Sequence, residues 1–122
     1  MEQTKKIKNF TDLIAWQEGQ QLVVAIYSVT KQFPKEELYC LVSQIRRAAI
    51  SVVSNLAEGF GRLSQAEKRQ FYNVAAASVI EVQAQLLVAK DLQYLTKDEC
   101  DILFERTIHI HKLMNGLIAR FT

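Results

Sequence analysis

Two histidines, two cysteines and a Gly-Phe-Gly-Arg segment are the residues best suited to chemistry in this 122-residue chain. Their spacing argues against it. His109 and His111 stand two apart, on nearly opposite faces of any helix, and cannot share one metal ion. Glu105 and His109 are four apart, not the Glu-x-x-His step repeated in di-iron bundles. Cys40 and Cys100 lie far apart with no Cys-x-x-Cys pattern, which predicts two reduced, packed thiols and no disulfide or zinc site. Gly59-Phe60-Gly61-Arg62 lacks the Gly-Lys-Ser/Thr ending of a phosphate loop, so its glycines are expected to end a helix. No Ser or Cys sits beside a recognisable base and orienting acid. The expectation is a protein without catalytic residues, metal or cofactor.

The basic residues offer a different chemistry. Lys5, Lys6 and Lys8 form an N-terminal arm, Arg46-Arg47 adjoin each other, and Arg62, Lys68 and Arg69 gather near the glycines. Guanidinium and ammonium groups match phosphate oxygens, so all eight are candidate nucleic-acid contacts. Solvated surface or intramolecular pairing is the plainer reading of each. Arg46 and Arg47 point about 100° apart on a helix, and both are expected at outer positions. Glu81, amid Val79, Ile80 and Val82, needs a partner if buried, and Gln44 and Arg47 are the expected ones. The net charge is only +2, with a pI near 8.6. That falls short of the pI above ~9 typical of a dedicated nucleic-acid domain.

Long helices must position these groups. The chain holds 4 Gly and 1 Pro, too few turn formers for a sandwich or barrel, and 49% of it is hydrophobic. The predicted helices cover about residues 11–32, 34–59, 64–93 and 96–120, behind a basic arm over 1–10. Thr11-Asp12 caps the first, Pro34 opens the second with Glu36 and Glu37 favouring its dipole, and Gly59 ends it in a left-handed conformation. The capping boxes Ser64-Gln65-Ala66-Glu67 and Thr96-Lys97-Asp98-Glu99 open the third and fourth. Short connections force an antiparallel up-down-up-down four-helix bundle over 11–122. The apolar stretch around residues 74–89 carries Ser78, Glu81, Gln83 and Gln85 and reads as a buried helix, not a membrane span. Met1 to Asn9 lacks the apolar core of a signal peptide, and a cytoplasmic location is expected.

Apolar stripes exceed the needs of one core. Cys100, Leu103, Thr107, Ile110, Met114, Leu117 and Phe121 form one face of the fourth helix. In the second helix, Leu38, Leu41, Ile45, Ala48, Val52 and Asn55 form the core row, with Asn55 placed to fix register. A further row, Ile50, Val53, Ala57 and Phe60, joins Leu22, Ile26 and Val29 of the first helix as a predicted homo-oligomer interface. Gln44, Asn55, Glu58 and Glu81 are expected to serve as structural polar groups.

Several segments resemble the 23S rRNA intervening-sequence proteins, a four-helix-bundle family. The matching residues are Phe10, Leu13, Trp16-Gln17, Leu22, Ile26-Tyr27, Phe33-Pro34, Glu37 and Leu41. The densest run is Gln44-Ile45-Arg46-Arg47-Ala48-Ala49, Ser51, Asn55 and Ala57-Glu58-Gly59, then Gly61-Arg62, Ser64, Glu67, Phe71-Tyr72, Ser78 and Glu81. The resemblance implies small rings, commonly homopentamers. It also implies a nucleic-acid context: related genes sit in rRNA insertions, and relatives serve diversity-generating retroelements beside a reverse transcriptase. The expected function is a non-enzymatic, homo-oligomeric accessory protein that binds RNA or DNA without sequence preference. The alternative is an oligomeric protein-interaction scaffold with no nucleic-acid role. No membrane partner is expected.

Overall fold

The computed structural model describes residues 6–122, so Lys5 lies outside the described residues. Four long helices follow in order: α1 (Ile14–Thr30), α2 (Leu41–Phe60), α3 (Gln65–Asp91) and α4 (Lys97–Ala119). Short 3-10 turns precede α1 at Phe10–Asp12 and α2 at Lys35–Glu37, and no strand occurs among the described residues. Each helix runs antiparallel to the next because the connections are too short to cross the molecule. α1 packs on α2, α2 on α3, α3 on α4, and α4 back on α1; no diagonal pair approaches closely. This is the expected four-helix bundle.

Helix ends show where local signals suffice. Thr96 accepts from the Glu99 N–H at 3.1 Å while the Glu99 carboxylate accepts from the Thr96 N–H at 2.9 Å, a complete capping box. At α3 only half the expected box forms: Ser64 accepts from the Glu67 N–H at 3.1 Å, with no return bond from the Glu67 side chain. The cap expected at Thr11-Asp12 moves to Asn9, whose capping box with Asp12 holds the first 3-10 turn before an extended Leu13 starts α1. Pro34 opens only the second 3-10 turn, and α2 begins at Leu41, whose N–H donates to the Glu37 carboxylate at 3.2 Å. Leu38 consequently leaves the expected core row and is 46% exposed.

Gly59 does not end α2 in a left-handed conformation. It is buried inside the helix, and a Cβ built there would lie 2.7 Å from Tyr72 Cε1, so its role is close approach of α2 to α3. Among the described residues the one positive φ outside glycine is Gln93, at 66°. There the Tyr94 and Gln93 N–H groups donate to the Ala89 and Lys90 carbonyls, a Schellman turn ending α3 without glycine.

The core corrects the predicted oligomer interface. Leu22 and Ile26 are fully buried, Val29 packs against the core, and Val53 is buried beside Gly19 of α1. Ala57 and Phe60 are half-buried, leaving only Ile50 of that set exposed, at 40%. Val53 of the second α2 row thus packs on α1 within the same bundle. The α4 stripe behaves as expected, with Cys100, Leu103, Thr107, Ile110 and Met114 buried and Leu117 and Phe121 packed against them. Cys100 is a packed thiol, whereas Cys40 is exposed at the start of α2.

Candidate nucleic-acid interface

The antiparallel packing sets the start of α1, the end of α2, the start of α3 and the end of α4 side by side. Lys6, Lys8, Arg62, Lys68, Arg69 and Arg120 therefore share one end of the bundle. Counting connections and terminal turns, that end carries these six cations against Asp12, Glu18, Glu58 and Glu67. The opposite end carries Lys31, Lys35, Arg46, Lys90 and Lys97 against six carboxylates, from Glu36, Glu37, Asp91, Asp98, Glu99 and Asp101. The molecule is polarised along its axis although its net charge is small.

Three of the cations also hold the fold. Lys68 donates to the Phe60 carbonyl at 2.7 Å and the Gly59 carbonyl at 3.3 Å, placing an ammonium at the negative end of the α2 dipole. Arg69 donates to the Phe121 carbonyl, tying α3 to the end of α4. Arg62 pairs with Glu58 at 2.8 Å and lies 4.6 Å over the Phe71 ring. Lys6, Lys8 and Arg120 are exposed, and their side chains make no hydrogen bond among the described residues. Beside Arg120, an open cleft of about 760 Å³ runs between the N-terminal segment and α4, floored by Ile7, Leu13, Leu113 and Leu117. Arg120 went unnoticed in the sequence because only the antiparallel topology brings it beside the arm.

Arg46 and Arg47 do not join this end; at 1.5 Å per residue they lie roughly 20 Å along α2 from Phe60. Arg46 is not an outer residue. Its guanidinium stacks 4.4 Å from the Tyr27 ring and donates to Thr30 Oγ1 at 2.9 Å and the Tyr27 carbonyl at 3.4 Å. The Thr30 hydroxyl in turn donates a hydrogen bond to the Ile26 carbonyl at 2.7 Å, so the group is a latch between α1 and α2. Arg47 is exposed with no hydrogen-bond partner among the described residues.

The expected Glu81 contact with Gln44 or Arg47 does not form. Glu81 is exposed and accepts from Gln85 of the next turn at 3.4 Å, and Gln44 is exposed as well. Asn55 donates within α2 to the Ser51 carbonyl at 2.8 Å and to Ser51 Oγ at 3.0 Å. Ser51 in turn meets Ser78 of α3 at 2.8 Å, so the register contact runs through the serines. Two further ties escaped the sequence: Gln83 to Thr107 at 3.0 Å joins α3 to α4, and the Tyr94 hydroxyl donates to Glu37 at 2.9 Å. The Glu37 carboxylate raises the Tyr94 hydroxyl above the usual tyrosine range. Burial pushes the Cys100 thiol up likewise, which keeps it protonated. No group of three His, Cys, Asp or Glu side chains suited to a metal occurs among the described residues.

The fold and its charge layout define an antiparallel four-helix bundle with one cationic end. The chain belongs to the 23S rRNA-intervening sequence protein family, whose model matches residues 11–116. Among solved structures it is similar to a protein with unknown function from the S23 ribosomal protein family of Bacteroides thetaiotaomicron. The TM-score is 0.82 at 21% identity, over 89% of this chain and 98% of that one. No curated protein matches the chain.

Proposed function

We propose that this protein is a non-enzymatic, homo-oligomeric accessory protein that binds RNA or DNA through the cationic end of the bundle. One observation carries the reading: antiparallel packing gathers Lys6, Lys8, Arg62, Lys68, Arg69 and Arg120 at one end. Contacts from such side chains neutralise phosphates and release counterions, giving salt-sensitive binding without sequence preference. Self-association repeats the cluster, and several weak patches act together as one multivalent field. A larger nucleic-acid enzyme, such as a reverse transcriptase, fits the partner of an accessory protein of this kind.

Filter binding of RNA and DNA tests the proposal. Retention at about 50 mM salt and loss by about 500 mM is expected, the steep dependence being the mark of phosphate contacts. Charge reversal at Lys6, Lys8 and Arg120 together should weaken low-salt binding at least about tenfold, since each lost phosphate contact removes a counterion-release step. Absence of retention at the lower salt would overturn it. A polypeptide partner surviving high salt, with no nucleic acid retained, would favour an interaction scaffold instead.

A further inference from the structure

The glycines inside α1, α2 and α4 differ in what surrounds them. A Cβ at Gly19 would lie 3.0 Å from Val53, and one at Gly59 would lie 2.7 Å from Tyr72, so both serve helix contacts. Gly116 of α4 has nothing within 4 Å of where its Cβ would stand. Glycine weakens a helix interior relative to alanine, and no packing contact requires one here. An isolated glycine inside a helix has a packing reason or a functional one, and the first is missing. What Gly116 does is leave α4 without a side chain along the open cleft of about 760 Å³ that it forms with the N-terminal segment.

The walls of this cleft are apolar. Leu113, Gly116, Leu117 and Arg120 follow at i, i+3, i+4 and i+7, one face of α4, and both leucines rest on the core. Ile7 and Ile14 line the N-terminal side and remain 43% and 60% exposed, an apolar rim of the kind that marks a binding groove. Three polar side chains reach the cleft, and two are committed elsewhere. Gln17 donates to the Thr11 carbonyl at 2.9 Å, and the Asp12 carboxylate accepts from the Lys8 and Asn9 N–H groups at 3.0 and 3.1 Å. Arg120 is exposed, and its guanidinium has no partner among the described residues. It lies one turn beyond Gly116, about 6 Å along the helix. An apolar bed with one uncommitted cation at its end recognises an apolar chain that ends in an anion. The volume is within the ~300–1,000 Å³ of small-molecule sites. We propose that this cleft binds an amphipathic carboxylate, its hydrocarbon chain laid across Gly116 between the isoleucines and leucines and its carboxylate on Arg120. Lys6 and Lys8 add positive potential at the same end of the bundle. The site does not rest on the nucleic-acid binding proposed above.

Calorimetric titration with dodecanoate, kept below its micelle concentration, should give one site per chain with a dissociation constant below about 1 mM. Dodecyltrimethylammonium, of equal chain length and opposite charge, should bind at least about tenfold more weakly. Gly116→Leu fills the cleft and keeps every charge. It should weaken dodecanoate binding at least about tenfold while Tm does not fall, because the new side chain enters open space. Arg120→Gln should weaken binding at least about fivefold and remove the preference for the anion. Lys112→Gln, the same charge change at an exposed α4 position outside the cleft, should do neither. No binding up to about 1 mM, equal affinity for the two surfactants, or binding indifferent to Gly116→Leu would overturn the proposal. So would binding seen only after removal of residues 2–5, which would give the cleft to the chain's own N-terminus. A fall in mass on Gly116→Leu in a protein that takes up no dodecanoate would give it to a second copy and overturn the proposal as well. Filter binding separates this site from the nucleic-acid reading: the Gly116→Leu protein should retain nucleic acid as the native one does, and retention without dodecanoate binding sinks this site alone.

Discussion

Gly59 and Gly116 are chemically identical and should respond in opposite ways to the same methyl group. A Cβ on Gly59 would sit 2.7 Å and 2.9 Å from Tyr72 ring carbons and 3.0 Å from Phe71 Cβ, so α2 and α3 must part to admit it. Gly59→Ala is expected to cost about 1–3 kcal/mol, the usual range for overpacking, and to lower Tm by several degrees. Nothing lies within 4 Å of a Cβ at Gly116, so Gly116→Ala should stabilise α4 by about 0.5–1 kcal/mol through helix propensity alone. Paired thermal melts check both. Arg46 makes a similar distinction between structure and function. Arg46→Ala removes the ring contact and both hydrogen bonds to α1, with an expected loss of about 1–3 kcal/mol. Low-salt nucleic-acid binding by the folded variant should change little.

Helix starts were legible in the sequence where the necessary atoms are neighbours in the chain. The Thr96 box and the Ser64 cap need nothing beyond their own four residues, and both caps occur. The start of α2 depends on Glu37, whose carboxylate is held by Tyr94 from the far side of the bundle, and Pro34 carries no record of that contact. Which residues share a face was also readable from spacing. What covers the face was not, and spacing alone cannot tell that Val53 of the second α2 row packs beside Gly19 of α1 and not against another subunit. Glu99 supplies a test at this level. Its carboxyl is held below the usual carboxylate range, first by the Thr96 backbone N–H and then by Gln32. A folded value below the unfolded one adds stability that is fully present above the ordinary carboxylate pKa and is lost as acid drives pH down through the folded value. The Tm advantage of the native protein over Glu99→Gln should therefore hold from about pH 7 to about pH 5 and shrink toward pH 3. Melts of the two proteins across that range measure it.

For the whole molecule, the bundle was legible because five Gly and Pro residues leave little alternative to long helices, and short connections fix the handing of each helix to the next. The cationic end was only half legible. Arg62, Lys68 and Arg69 are close in sequence, whereas joining them to Lys6, Lys8 and Arg120 requires the topology. The arginine pair of α2 drew notice as a doublet, yet one member is committed to Tyr27 and Thr30 and the other points alone into solvent.

The closed square of helices also governs how the chain reaches this structure. Three of its four sides join helices adjacent in sequence, and among the packed helix pairs only α1 on α4 joins helices distant in the chain. Loop-closure entropy is thus met in small steps, and refolding within about milliseconds is expected, as for other bundles of low contact order. The extensive α2–α3 hairpin, with its glycine-permitted approach, is the natural nucleus. In stopped-flow experiments Val52→Ala in that hairpin should slow folding, whereas Leu22→Ala in α1 should chiefly accelerate unfolding.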